Sequence, residues 1–178
     1  MNFEEKKLNS ETVYKGKILT LNVDEVELPD KSRSFREYVR HSGGAAVLLV
    51  KDNCVLLVNQ FRYAYGKEIY EIPAGKLNYG ENSEEAAVRE LEEETGYRAK
   101  LIKMFDLYPS PGYTDEIIHI YFAESFEFTV QKLDEGEFLN CEFIPLDKVL
   151  NMIETGEICD AKTVSAVYKF ISSLDKKK

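Results

Sequence analysis

Short stretches of alternating polar and apolar side chains open the chain, Thr12 to Tyr14 and Ile18 to Leu28, broken at Lys15-Gly16. The turn Pro29-Asp30-Lys31 separates them from a third strand-like stretch, Ser34 to Arg40, and Ser42-Gly43-Gly44 then breaks the chain. Two apolar runs follow, Ala45 to Val50 and Val55 to Val58, joined by Lys51-Asp52-Asn53; they predict a hairpin of buried strands. Asn82 or Ser83 is suited to cap a helix running to about Thr95, with Gly96 as its C-terminal stop. Strand-like stretches recur near Ala99 to Leu107, Ile117 to Phe122 and Phe138 to Ile144, and the last third reads as helix over Leu146 to Glu154 and Ala161 to Leu174. Strands and helices mix without regular alternation. That favours a mixed-sheet α+β or α/β sandwich over a doubly wound sheet.

At 178 residues the chain fits one domain with a small appended element, and 44% hydrophobic residues suffice for a core. A net charge of −9 argues against nucleic acid as a partner. Small anions stay possible, because a few arginines or a bound cation can reverse the field inside one cleft. The opening MNFEEKKLNS has no apolar signal core, and Ala45 to Val50 is too short to cross a bilayer, so a cytoplasmic protein without membrane contact is expected. Cys54, Cys141 and Cys159 are odd in number and lack CxxC spacing, which speaks against a disulfide framework or a zinc site.

The predicted helix carries the chemistry. From Gly75 to Tyr97 the chain reads GKLNYGENSEEAAVRELEEETGY, and a helical projection puts Ala87, Val88 and Leu91 on one face. Glu90 and Glu94 lie about 40° apart at the border of that face, with Glu93 further toward solvent. Carboxylates stacked at i, i+4 beside a core repel each other and lose hydration, and a divalent cation removes both costs. Oxygen donors without nearby histidine or cysteine point to Mg²⁺, or Mn²⁺, rather than zinc. A solvated acidic helix is the competing reading from the glutamates alone, in a chain with 32 acidic residues.

The full spacing decides between them. Gly75, Glu81, Arg89-Glu90-Leu91, Glu93-Glu94 and Gly96-Tyr97 fall at the defined positions of the Nudix box, a match expected by chance on the order of once in 10⁷ to 10⁸ start positions. The flanks Asn59-Gln-Phe-Arg62, Glu71-Ile-Pro-Ala-Gly75, Ser110-Pro-Gly-Tyr-Thr-Asp-Glu116, Asp134-Glu-Gly-Glu137 and Asp160-Ala-Lys-Thr163, with Arg36-Glu-Tyr-Val-Arg-His-Ser-Gly-Gly44, resemble the bacterial ADP-ribose pyrophosphatases of the Nudix superfamily. The resemblance spans about Thr12 to Leu174.

It implies a Nudix fold, a mixed β-sheet between helices, with an N-terminal three-stranded antiparallel element (residues 1–42) that is often exchanged across a homodimer, and a hydrolase domain over 43–178. It implies Mg²⁺-dependent hydrolysis of a small nucleoside-diphosphate substrate, ADP-ribose, to AMP and ribose 5-phosphate. By position, Glu90, Glu94 and the carbonyl of Ala74 become metal ligands, with Glu93 a further or water-mediated one. Glu81 and Arg89 pair to hold the loop on the helix, and Gly75 and Gly96 frame the box. Arg62 and Arg36 are placed on the substrate and Glu116 on its terminal ribose, while Glu135 is the general base, ahead of Glu137 or Glu93. Surface ion pairs and solvated turns are the plain readings of those side chains. Two other functions stay open: a Nudix enzyme for another nucleotide-sugar or a nucleoside triphosphate, and a non-catalytic ligand-binding domain. The intact Glu90, Glu93 and Glu94 weigh against the second.

Overall fold

A computed structural model describes residues 2–175, so Met1 and residues 176–178, the extremes of the two expected segments, lie outside the described residues. The chain divides into two compact units, one of residues 1–43 with 108–117, the other of 44–107 with 118–178.

The first unit is an antiparallel meander of β1 (Lys6–Lys15), β2 (Leu19–Glu27) and β3 (Arg33–His41), in that spatial order. The turn between β2 and β3 closes through Lys31 N donating to Leu28 O (2.9 Å), and Asp30 accepts from Ser32 N (2.9 Å). Asn22 and Asp24 on β2 are buried but paired, with Thr12 Oγ1 (2.8 Å) and Ser10 Oγ (2.5 Å), which meets the desolvation cost of polar groups under a thin sheet. Residues 108–117 join this unit from far along the chain. Val39 N donates to Tyr113 O (2.7 Å), Asp115 N to Val39 O (3.2 Å), and the Asp115 carboxylate takes Arg40 Nη1 (2.7 Å) and His41 N (2.9 Å). Val13, Tyr14, Ile18 and Phe35 all stay more than half exposed. No local pattern announces the capture of 108–117, since its partners lie some seventy residues back.

The second unit has a four-stranded mixed sheet in the order β8 (Ala74–Lys76), β4 (Gly44–Leu48), β10 (Ile118–Phe128), β9 (Tyr97–Leu107), with β4 and β10 parallel and the other pairs antiparallel. A second sheet runs β11 (Leu139–Pro145), β6 (Cys54–Arg62), β5 (Val50–Lys51), with β7 (Lys67–Glu71) also on β6. Ala45, Val47 and Leu49 pack with Ala86, Ala87 and Leu91 of α1 (Ser83–Thr95). Ala46 and Leu48 pack toward Val149 and Met152 of α2 (Leu146–Glu154) and Ala166 and Val167 of α3 (Ala161–Asp175). Covered on both faces, β4 has no need of a polar face, hence its unbroken apolar run. This is the mixed sheet between helices that the sequence predicts.

One expectation needs correcting. The hairpin of the two apolar runs is short: Val50–Lys51 pairs with Cys54–Val55 across Asp52 and Asn53 at φ 50° and 59°, and Leu56 N donates to Leu49 O (3.0 Å). Residues 44–48 go to the other sheet, where β8 and β10 flank them. Among the described residues no helix is long and apolar enough to cross a membrane.

Candidate active site at the loop and helix 75–97

Helix α1 is set by local chemistry at both ends. The Asn82 side chain accepts from Glu84 N (2.8 Å), and Gly96 at φ 74° lets its N–H return to Glu92 O. A Cβ at Gly96 would meet Gln131 N at 2.8 Å, so the close pass of the 129–132 segment also requires glycine. That segment satisfies the helix's free carbonyls: Thr129 N on Gly96 O (2.6 Å), Gln131 Nε2 on Glu94 O (2.6 Å), Lys132 N on Glu93 O (2.9 Å).

Arg89 ties the loop to the helix. Its Nε and Nη2 fork Glu81 (2.8 and 3.0 Å), Nη2 reaches Lys76 O (3.2 Å), and Nη1 bonds Glu90 (2.8 Å) and Glu93 (2.9 Å). The guanidinium holds the Glu81 carboxyl down at about 2, and Glu81 in turn accepts from Asn78 N (2.8 Å). Glu81 and Arg89 are thereby committed to each other.

Glu94 is 2% exposed and accepts from Ala74 N (2.9 Å), which fixes the strand that carries the Ala74 carbonyl. Burial, then Glu137 and Glu90, push its carboxyl up to about 8 against the pull of the Ala74 amide. Glu90 is pushed the same way, first by burial, with Glu93 and Glu137 adding to it. Glu137 itself accepts from Gln60 Nε2 (3.2 Å) and follows the turn at Gly136, φ 83°. Gly75 passes so near Glu90 that a Cβ there would lie 2.0 Å from the Glu90 Cδ. Glu90 against Gly75 and Glu94 on the Ala74 amide line a cradle with oxygen donors only, the donor chemistry a hard divalent cation takes; among the described residues no three acidic, histidine or cysteine side chains converge closely enough to hold an ion as they stand.

Arg62 does not point free into this site. Its Nε and Nη2 fork Glu71 (2.6 and 2.9 Å), a carboxylate 4% exposed that Lys162 also bonds. Glu135 is exposed on the 134–137 turn. In the first unit, Arg36 is exposed and forks Glu5 (2.8 and 2.5 Å), and Glu116 lies 3.3 Å from His41 Nδ1, an atom that accepts from Gly43 N. Sequence reasoning gives no role to Glu71 or Lys162. A buried carboxylate in a short strand has no periodicity to mark it, and the one signal is that both fall within flanks resembling the family, Glu71-Ile-Pro-Ala-Gly75 and Asp160-Ala-Lys-Thr163.

A family model described as "NUDIX domain" matches residues 40–167, and one described as "Nucleoside diphosphate sugar hydrolase N-terminal domain" matches residues 5–39. The chain is 45% identical over 170 residues to the "ADP-ribose pyrophosphatase" of Bacillus subtilis (strain 168), covering 93% of this chain and 92% of the relative. It is 44% identical to the "Methanol dehydrogenase activator" of Bacillus methanolicus (93% and 91% covered) and 36% identical to a "GDP-mannose pyrophosphatase" of Escherichia coli (86% and 91%). A solved "ADP compounds hydrolase" superposes with a TM-score of 0.87 at 23% identity, over 99% of this chain and 98% of its own, which is a likeness of fold.

Proposed function

Because the chain belongs to the Nudix hydrolase family, we propose that it cleaves the diphosphate of ADP-ribose with Mg²⁺, releasing AMP and ribose 5-phosphate. The carrying observation is the pair of box carboxylates, Glu94 on the Ala74 amide and Glu90 against Gly75, beside a relative at 45% identity with that activity in its name. In this reading Glu90, Glu94 and the Ala74 carbonyl hold the metal, with Glu93 a further or water-mediated ligand. Bound there, the divalent ion offsets charge on the diphosphate oxygens and acidifies water.

The chain's own groups do the rest. Arg89 keeps Glu90 and Glu93 turned toward the loop, and Ala74 N holds Glu94 in place. Arg62 binds the diphosphate through the guanidinium edge that Glu71 leaves free, and Arg36 and Glu116 contact the nucleotide and its terminal ribose. Glu135 takes the proton of the attacking water as the P–O bond forms; no metal ligand is asked to do so, since a ligated carboxylate is a poor acceptor. Its exposed turn before β11, with Gly136 at positive φ, allows the approach. The exposed apolar positions of the N-terminal sheet pair with a second copy in a homodimer, and three free cysteines suit a reducing cytoplasm.

A substrate panel of ADP-ribose, GDP-mannose, dinucleotides and nucleoside triphosphates tests the reading. With Mg²⁺, ADP-ribose should be turned over best with release of AMP, and excess chelator should stop it. Equal turnover of a nucleoside triphosphate would overturn the substrate assignment and leave the hydrolase family intact.

A further inference from the structure

Beneath Arg62 lies a charged cluster with no part in holding metal. Glu71 is almost fully buried and receives two cations, the Arg62 fork and Lys162 Nζ, where one would neutralise it. Lys162 is itself 8% exposed and bonds Asp160 Oδ1 (3.0 Å). Asp160 opens α3: its other oxygen accepts from Thr163 N (3.0 Å) and Thr163 Oγ1 (2.6 Å), and that hydroxyl accepts from Ile72 N (2.8 Å). The four formal charges of Arg62, Lys162, Glu71 and Asp160 cancel. Burying ions in low dielectric is costly, and stability alone is better served by packed apolar side chains.

The arrangement has a use at Arg62. A guanidinium offers five N–H groups in one plane. Glu71 takes one from Nε and one from Nη2, which leaves the outer edge, Nη1 with the second Nη2 hydrogen, for another pair of oxygens. Bound to Glu71 alone, Arg62 would be neutralised and would attract an anion weakly. Lys162 draws half of that carboxylate's charge inward, so the outer edge keeps an effective positive charge. Arg62 also favours the ionised form of Glu94.

We propose that Lys162, held by Asp160, is a positioning residue for the substrate's diphosphate: by sharing the Glu71 carboxylate it orients Arg62 and keeps its outer edge charged to receive the phosphoryl oxygens. This rests on the reading that the substrate is a nucleoside-diphosphate compound bound by Arg62. Lys162→Met keeps the length of the side chain and removes its charge. The KM for ADP-ribose should rise roughly ten- to a hundredfold, the worth of a charge-assisted hydrogen bond, while kcat changes less. Calorimetric Kd for ADP-ribose in chelator, with no turnover, should weaken by the same factor. Lys162→Arg should restore both.

A Lys162→Met protein that melts at lower temperature but keeps wild-type KM and Kd overturns the proposal, because the cluster is then only structural. Should Lys162→Met not fold, Glu71→Gln tests the same clamp. The amide can accept only one of the two Arg62 bonds, and an unchanged KM in that folded variant overturns the proposal equally. If wild-type protein does not bind ADP-ribose, the substrate reading fails by itself. The comparison then uses inorganic pyrophosphate: weaker binding to the variant supports the clamp, and equal binding overturns it.

Discussion

Replacing Glu94 with glutamine separates what the buried carboxylate costs the fold from what it gives the proposed reaction. The Glu94 carboxyl titrates near its ordinary 4.5 when the chain is unfolded and at about 8 in the metal-free fold, with burial the first cause. Between those values the folded protein holds a proton that the unfolded chain has released. Its contribution is therefore full below pH 4.5 and is lost as pH rises through about 8. At about 1.4 kcal/mol per pH unit the loss is under about 1 kcal/mol at pH 5, roughly 3 kcal/mol at pH 7 and about 5 kcal/mol above pH 8, as an upper bound.

The amide of Glu94→Gln would keep the shape, and its carbonyl oxygen can still accept the Ala74 N–H, but it has nothing to ionise. For a chain of this size roughly 2–4 °C accompany each kcal/mol. Thermal unfolding followed by circular dichroism in chelator should thus give Glu94→Gln a Tm close to wild type at pH 5. At pH 7 its Tm should stand several degrees above wild type, and further above at pH 8.5. Added Mg²⁺ should raise the wild-type Tm and leave the variant's nearly unmoved. Turnover of ADP-ribose should fall by more than roughly a hundredfold, since even groups behind metal ligands are worth ten- to a hundredfold. A variant that melts lower at every pH and keeps its turnover would refute the reasoning, because Glu94 would then be a structural acceptor for the Ala74 strand.

Gly75→Ala should fold yet lose most activity, since the new Cβ would land 2.0 Å from the Glu90 Cδ and force that carboxylate out of the cradle; a Mg²⁺ titration of the variant's Tm checks the lost site. Glu135→Gln should lower kcat by roughly 10² to 10⁴ with KM and metal response little changed; full turnover in Glu135→Gln beside its loss in Glu93→Gln would move the base to the helix. Light scattering at micromolar concentration should give the mass of a homodimer, and a monomer there rules out the pairing of the N-terminal sheets.

How much of the molecule is legible in its sequence follows from how local each cause is. Helix α1 is legible to within a residue, its cap narrowed to Asn82 or Ser83, because an Asn82 cap, a 3.6-residue apolar face and a Gly96 stop all act within its own length. Glu90, Glu93 and Glu94 are legible with it. The short strands 67–71 and 74–76 are not, since their pairing with β6 and β4 leaves no alternation long enough to detect and Pro73 reads as a break. The same holds for Glu71, a buried carboxylate whose two cations come from Arg62 and from Lys162, which lies 91 residues away. Glu137 enters the sequence reading only through the family resemblance, as a base ranked behind Glu135. Its effect on Glu90 and Glu94 comes from the packing of β11 on β6.

The strap formed by residues 129–132 across the end of α1 sets a leash length. Lys132 N is moored to Glu93 O, and β11 takes hold again at Leu139, so only six residues hang between two fixed points. Glu135 is three residues from the nearer mooring, and a fully extended chain advances at most about 3.6 Å per residue, so its Cα stays within roughly 11 Å of the Lys132 Cα however the turn moves. With Glu135 as the proposed base, a longer stretch would enlarge that radius and loosen the acid's aim, and a shorter one would leave the acid unable to arrive. Variation in loop length, usually the most freely tolerated change in a protein, would under the proposed role of Glu135 be constrained between Lys132 and Leu139 by the end of helix α1.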